Sequence, residues 1–275
     1  MRGFDWVIYC AALGFILVVL FSLAPQAEAP APPPPSELAE EMGPLLPDPS
    51  PLDEMVVVQA GPPQNGVGTA FAVNSRGDWL TARHVVDGCA RVSLMVAPGN
   101  YVPVARIALD DAHDLALLST GRSPNPVVLD LASPLFIGAE GFHVGFPQGD
   151  PGELASRLVG RSRLVTRGLR ESEAPILAWA EVGRTNGLVG SLGGISGGPV
   201  FDATGAVRGV IVAESPRRGR IYSTAPQALD AFLTRQGVQH QTGPSDAFGM
   251  RSYGAASDTA RRRLQVVKVM CEVSP

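Results

Sequence analysis

The sequence Gly193-Gly194-Ile195-Ser196-Gly197-Gly198-Pro199-Val200-Phe201-Asp202 places one serine among four glycines and then enters a strand-forming run. A serine hydroxyl is a weak nucleophile until a base accepts its proton and backbone N–H groups stabilise the oxyanion that it creates. Glycines lack a Cβ and reach positive φ at little cost, so the N–H groups of Gly194 and Ser196 are free to turn toward one point. The stretch therefore predicts a nucleophilic serine, with an ordinary Gly/Ser turn between two strands as the alternative.

The positions of the histidines limit the chemistry open to Ser196. The stretch also fits Gly-x-Ser-x-Gly, the nucleophile elbow of α/β-hydrolase esterases, which requires an acid and a histidine after the serine. Only His240 follows the serine, in a polar stretch typical of a surface. Before the serine, one segment supplies a histidine in an apolar run and another supplies an aspartate at the start of one. They are Leu80-Thr81-Ala82-Arg83-His84-Val85-Val86 and Asp111-Ala112-His113-Asp114-Leu115-Ala116-Leu117-Leu118. The chain order is therefore histidine, aspartate, serine.

These three segments resemble the chymotrypsin-like (trypsin-like) serine proteases, most closely the bacterial periplasmic Deg-type branch, over residues 56 to 235. The resemblance implies a serine endopeptidase in which Ser196 attacks the peptide carbonyl and forms an acyl-enzyme. His84 would be the general base, and Asp114 would orient its ring and stabilise the imidazolium. Gly194 and Ser196 would supply the oxyanion hole. A homologue that binds peptides without cleaving them is the second function open to such a chain.

Two positions around these motifs carry expectations of their own. The residue before the serine, usually Asn or Asp in such proteins, is Ile195 here, so the loop lacks that polar anchor. Asp110 and Asp111 are rival acids. We prefer Asp114 because a buried strand follows it directly and fixes its position, whereas the rivals stand earlier in a polar turn.

Strand-like runs separated by turn residues predict an all-β body. Six runs form a first antiparallel barrel, at residues 55–59, 67–73, 79–86, 91–97, 101–109 and 114–119. Six more form a second, at residues 141–146, 156–165, 176–181, 199–202, 207–213 and 220–224. The fold expected is two six-stranded barrels in a protease domain over residues 55–240, with the site between them. A C-terminal helix with Leu229, Phe232 and Leu233 on one face closes the domain.

The N-terminus predicts a membrane anchor. Residues 6–24 are apolar and uncharged, and at about 1.5 Å per residue this run is just long enough to span a bilayer core, so residues 1–24 form one transmembrane helix. A cleaved signal peptide is the alternative, but its small-x-small site at Ala27-Glu28-Ala29 precedes a proline. Residues 25–54, rich in proline, predict an extended linker. We therefore expect a single-pass protein of the bacterial inner membrane with its catalytic domain in the periplasm.

The C-terminal residues 241–275 are too few for a PDZ domain and predict a helix and a strand that pack back on the protease domain. Cys10 lies in the apolar run, which leaves Cys89 and Cys271 as the pair outside the membrane. In an oxidising periplasm we expect these two to form a disulfide, with two buried thiols as the alternative.

The remaining features concern ligands. A net charge of −4 gives no electrostatic case for nucleic acid, and no Cys/His spacing predicts a metal or another cofactor. Ala213, Glu214 and Ser215 are expected to line the substrate cleft if the resemblance holds. Glu214 there either favours a basic side chain or lies solvated at the rim, so no specificity is assigned. Polypeptides are the expected partners, and the sequence does not specify an oligomeric state.

Overall fold

The computed structural model describes residues 43–185 and 187–274. Strands dominate the described chain, which confirms the all-β expectation. The fourteen strands are β1 (Glu54–Ala60), β2 (Gly66–Ala72), β3 (Asp78–Thr81), β4 (Arg91–Ala97), β5 (Asn100–Pro103), β6 (Arg106–Leu109), β7 (Ala116–Ser119), β8 (Glu140–Gly145), β9 (Gly152–Gly168), β10 (Ser172–Arg184), β11 (Pro199–Phe201), β12 (Val207–Ser215), β13 (Arg220–Thr224) and β14 (Val266–Glu272). The helices in the same residues are α1 (Arg83–Val86), α2 (Pro226–Arg235) and α3 (Tyr253–Arg262), with short 3-10 turns at Pro147–Gly149 and Pro216–Arg218.

The second half of the chain forms a closed barrel. Its strands pair in the order β9, β10, β13, β12, β11, β8, and β8 pairs again with β9, which closes an antiparallel ring of six. β9 has 17 residues and has two partners on one edge. Its residues 152–157 pair with β8, and its residues 162–168 pair in parallel with β1. The second barrel therefore matches the prediction, with β1 added outside the ring as the seventh strand of its sheet.

The first barrel differs from the prediction in one strand. Its seven strands follow the order β5, β4, β14, β2, β3, β7, β6. β5 and β6 are two halves of one bent segment that pairs first with β4 and then with β7, so the barrel wall has six positions. The predicted first strand at residues 55–59 is not among them, because β1 pairs with β9. The C-terminal strand β14 fills the position between β2 and β4, so the C-terminal segment is part of this barrel and not a covering on it.

Alternation of side chains explains why β14 fits this position. Successive strand residues point to opposite faces. Val267 and Val269 face the interior of the first barrel, at 1% and 0% exposure, in a cluster that includes Ala70 of β2. Val266 faces the other way, into the larger core between the barrels that also contains Phe71 of β2. β14 therefore supplies apolar side chains to two cores at once, as its neighbour β2 does.

Covalent and ionic contacts attach the C-terminal segment to the body. Cys89 and Cys271 form a disulfide with a Cα–Cα distance of 5.5 Å, which confirms the expected bond. Arg261 of α3 donates to the fully buried carboxylate of Glu153 in β9 at 2.5 Å. Removing one partner of such a buried pair leaves an uncompensated charge and destabilises the fold strongly.

The described part of the chain begins at residue 43. The predicted transmembrane segment at residues 6–24 and most of the predicted linker lie outside the described residues. Within those residues, no helix combines the length and the apolar character needed to cross a bilayer. The linker was expected to reach residue 54, but Leu46 is buried against the second barrel, and its N–H donates to the carbonyl of Leu135 at 2.8 Å. The folded body therefore begins before residue 54.

Candidate active site

His84 lies on α1, a single helical turn that follows β3, and not within one strand over residues 79–86 as predicted. Ala82 is the last extended residue, with φ −76° and ψ 143°, and the chain turns immediately after it. Arg83 fixes the turn, since its guanidinium donates to Asp87 at 2.7 Å and to the carbonyl of Asp110 at 2.8 Å. The turn presents the His84 side chain at the surface, where it is 47% exposed.

Asp114 uses both carboxylate oxygens on His84. Its Oδ2 lies 2.6 Å from Nδ1 of the imidazole, and its Oδ1 accepts from the backbone N–H of His84 at 2.9 Å. An ionised carboxylate can only accept, so Nδ1 carries the proton and Nε2 is the basic nitrogen of the neutral ring. The two contacts therefore set both the tautomer and the orientation of the imidazole.

The electrostatics of this pair favour charge separation. Burial lowers the pKa of His84, but the charge of Asp114 and its hydrogen bond outweigh burial, so the pKa of His84 is raised. Burial raises the pKa of Asp114, but the His84 charge and hydrogen bonds from its ring and backbone outweigh that, so the pKa of Asp114 is lowered. The site is therefore built to stabilise an imidazolium beside a carboxylate.

The rival acids have other partners. Asp110 is buried and contacts Nδ1 of His113 at 2.9 Å and the guanidinium of Arg235 at 3.0 Å. Asp111 is exposed and accepts from Arg83 at 2.8 Å. The structure thus places Asp114, and neither rival, against His84.

Ser196 lies in a tight loop of the second barrel that packs on the first. Its carbonyl accepts from the N–H of Thr69 in β2 at 2.9 Å. The next residue, Gly197, has φ +85°, and a Cβ there would overlap the Thr81 hydroxyl and lie 2.8 Å from the N of Ala82. Because Ala82 directly precedes α1, this close approach brings the serine loop beside the histidine helix. The side chains of Ser196 and His84, both described, form no hydrogen bond with each other. Hydrogen bonds between catalytic groups often tighten only when a substrate binds.

The turn before Ser196 leaves two N–H groups without partners. Ile195 donates to the carbonyl of Leu192 at 2.9 Å, which closes a reverse turn over residues 192–195. Gly194 is its third residue, with φ +99°, the conformation that a type II turn requires there. Among the described residues, no protein acceptor takes the N–H of Gly194 or of Ser196. Two available donors on either side of Ile195 are what an oxyanion hole requires.

Ile195 is only 2% exposed and packs in the core of the second barrel with Val200. A residue outside the motif contacts the loop that carries Ile195. The carboxylate of Glu214 accepts from the hydroxyl of Ser191 at 2.7 Å, so this residue contacts the loop and is not free in the cleft. Gln148 also contacts this loop, because its Nε2 donates to the carbonyls of Val189 and Ser191. The sequence did not indicate this contact, since a single glutamine in a Pro-Gln-Gly turn carries no motif.

The other residues predicted for the site have simpler placements. Ala213 and Ser215 are half-buried on β12, where they pair with β13. The one hydrogen bond that the His240 side chain makes within the described residues is from Nδ1 to the carbonyl of its neighbour Gln241, at 3.3 Å. Among the described strands, only β1 and β9 pair in parallel, whereas an α/β-hydrolase needs a largely parallel sheet. The esterase alternative is therefore wrong. No cluster of three metal-ligating side chains occurs in residues 43–185 or 187–274.

Comparisons with known proteins agree with the two-barrel fold. A model of the trypsin-like peptidase domain family matches residues 68–210, just over half of the chain. The chain is 32% identical over 171 residues to Protease Do-like 5, chloroplastic, of Arabidopsis thaliana, a match that covers 56% of this chain and 50% of that protein. The chain thus spans about half the length of this curated relative.

Solved structures support the fold. The Rv3671c protease of M. tuberculosis in its active form superposes with a TM-score of 0.51 at 18% identity, covering 74% of this chain and 95% of that chain. The inactive form of the Rv3671c protease gives 0.51 at 22% identity, covering 62% and 84%. Together with the family match and the two barrels, these findings confirm the resemblance to chymotrypsin-like proteases. The chain belongs to the trypsin-like peptidase domain family.

Proposed function

We propose that the chain is a serine endopeptidase that cleaves peptide bonds through an acyl-enzyme on Ser196. The observation that carries the proposal is the double contact of Asp114 with His84, at 2.6 and 2.9 Å, beside a serine loop with two N–H groups that have no acceptor among the described residues. This arrangement combines a base of defined tautomer with donors for an oxyanion. Family membership supports the same reaction class.

The reaction follows from the roles of these groups. Nε2 of His84 takes the hydroxyl proton as Ser196 Oγ attacks the substrate carbonyl, and Asp114 stabilises the imidazolium that results. The N–H groups of Gly194 and Ser196 donate to the oxyanion, and each such donor is typically worth 10²–10³ in kcat. The imidazolium then protonates the leaving amine. A water molecule, deprotonated by His84, hydrolyses the acyl-enzyme and restores Ser196.

We also propose that the domain works outside the cytoplasm, held at the inner membrane by residues 6–24. The disulfide between Cys89 and Cys271 supports an oxidising compartment, because structural disulfides are rare in cytosolic proteins. Fusing alkaline phosphatase, which is active only in the periplasm, after residue 275 tests the topology. Active fusions support the proposal, and inactive but stable fusions contradict it.

Labelling with a fluorophosphonate tests the catalytic assignment. The full-length protein in a mild detergent is compared with Ser196→Ala, His84→Ala and a control, Ser245→Ala, whose hydroxyl contacts only a surface carbonyl among the described residues. We expect a single adduct on the Ser196 peptide in wild type and control, and none in the two site variants. Folded wild type that stays unlabelled contradicts the proposal and favours a peptide-binding homologue without activity.

A further inference from the structure

Gln148 holds one side of the segment that enters the oxyanion turn, residues 189–193. Its Nε2 donates to the carbonyls of Val189 and Ser191 at 2.8 and 2.9 Å, and its backbone N–H donates to the carbonyl of Gly193 at 2.5 Å. Gln148 has φ +55°, a left-handed conformation that residues other than glycine adopt at an energetic cost. Such conformations persist where the surroundings enforce them, and they cluster at functional sites.

Glu214 holds the other side of the same segment. Its carboxylate accepts from the N–H of Leu192 at 2.9 and 3.0 Å and from the hydroxyl of Ser191 at 2.7 Å. That hydroxyl in turn accepts from the N–H of Gly193 at 3.0 Å. Both carboxylate oxygens of Glu214 therefore accept hydrogen bonds from the loop, which fixes the side chain against residues 191–192.

Arg184 supplies the third contact, from the end of β10. Its Nη1 donates to the carbonyl of Gly190 at 2.8 Å, and Glu181 holds the guanidinium through contacts of 2.5 and 2.8 Å. With this contact, the carbonyls of residues 189, 190, 191 and 193 and the N–H groups of residues 192 and 193 are all paired. After this segment, the first N–H groups without an acceptor in the described part of the chain are the two donors of the oxyanion hole.

We propose that Gln148, Arg184 and Glu214 form a clamp that keeps the oxyanion hole open, in place of the polar anchor that Ile195 cannot provide. The clamp pairs four carbonyls and one N–H group of the preceding segment, so rotating the peptide between Gly193 and Gly194 would break the hydrogen bond from the Gln148 N–H to the Gly193 carbonyl. The three residues contact the loop and not the reacting atoms, so they are positioning residues. This inference rests on the proposed protease function, because it concerns the hole that the reaction uses.

Steady-state kinetics on the full-length protein test the clamp through kcat. The substrate is the fluorogenic peptide that wild type cleaves fastest in a mixed library. We expect Glu214→Ala to lower kcat about ten- to a hundredfold, less than the loss of a hole donor, with KM changed less than about twofold. Glu214→Gln keeps one acceptor oxygen and should recover part of this loss. The control is Glu140→Gln, a half-buried glutamate paired with Arg157 instead, which should match wild type.

Gln148→Gly separates positioning from stability. Glycine adopts φ +55° without strain, which offsets the loss of the two Nε2 hydrogen bonds, so the melting temperature should change little while kcat falls about tenfold. A purely structural role predicts the opposite, a lower melting temperature with an unchanged kcat. Unchanged kcat in both Gln148→Gly and Glu214→Ala would overturn the clamp.

Hydrogen exchange provides a readout that does not depend on activity. The N–H of Leu192 should exchange about tenfold faster or more in Glu214→Ala than in wild type, because its only acceptor among the described residues is removed. Equal exchange in the two proteins contradicts the clamp. Wild type that fails to react with a fluorophosphonate contradicts the proposed function instead, and exchange at Leu192 still decides whether the clamp exists.

Discussion

The C-terminal strand β14 offers the sharpest test of the fold, because it closes the first barrel in place of β1. Val269 is 0% exposed and lies between Gly68 of β2 and Leu94 of β4. Val269→Ala removes two buried carbons, each worth about 0.8 kcal/mol of transfer free energy, and leaves a small cavity. We expect the free energy of unfolding to fall by about 2–3 kcal/mol.

Urea unfolding of the full-length protein, followed by tryptophan fluorescence, measures this loss. Trp79 shares a core cluster with Val269 and reports on the same barrel. The control is Glu272→Ala on the same strand, which breaks only an exposed ion pair with Arg91 and should cost about 0–1 kcal/mol. If Val269→Ala costs no more than Glu272→Ala, then β14 is not a barrel strand and the reasoning is refuted.

Three further outcomes follow from the contacts described. The plot of kcat/KM against pH should rise through a pKa above the ordinary histidine value of 6.5, because only neutral His84 is a base and Asp114 raises its pKa. Asp114→Asn should lower that midpoint and reduce kcat about 10⁴-fold. An unmoved midpoint would contradict the pairing of Asp114 with His84. Mutating Cys89 and Cys271 to alanine, which opens a loop of 182 residues, should lower the free energy of unfolding by about 2–4 kcal/mol in urea titrations, whereas unchanged stability would show that the bond does not constrain the unfolded chain. His143 is fully buried, and burial lowers its pKa to about 3. Between that value and 6.5 the unfolded chain binds a proton that the folded chain does not, so stability should fall by about 1.4 kcal/mol per pH unit on acidification from about pH 6 to 4. Replacing His143 with glutamine should remove this contribution, and identical slopes in the two proteins would count against it.

The residues proposed for catalysis could be predicted because each lies in a short local pattern. The glycines around Ser196 indicate a backbone that must approach others closely, and the contact of Gly197 with the first barrel is such an approach. The buried strand after Asp114 fixes that carboxylate, as the apolar run from Leu115 to Leu118 suggests. Each of these signals lies within about ten residues of sequence, so no long-range pairing is needed to read it.

The strand exchange in the first barrel could not be predicted in this way. β1 and β14 each contain three valines among seven residues, and valine content does not say which partner a strand will find. β14 pairs with β2 across some 200 residues of sequence. The turn at His84 was also missed, because Val85 and Val86 extend an apolar β-like run even though the chain turns helical there.

The loop contacts of Gln148 and Glu214 could not be predicted from local sequence either. Gln148 lies 43 residues before Ser191, and Glu214 lies 23 residues after it. Glutamine and glutamate are usually solvated, so neither residue type signals an anchoring role by itself. Only the folded backbone brings both side chains to one loop.

Trapping the covalent intermediate shows directly whether the protein cleaves peptides through an acyl-enzyme on Ser196. The full-length protein is mixed with a peptide thioester, quenched in acid during turnover, digested and analysed by mass spectrometry. We expect an acyl group on the peptide that contains Ser196, absent from Ser196→Ala and strongly reduced in His84→Ala. Hydrolysis that proceeds with no adduct on Ser196, or with the acyl group on another residue, would contradict it.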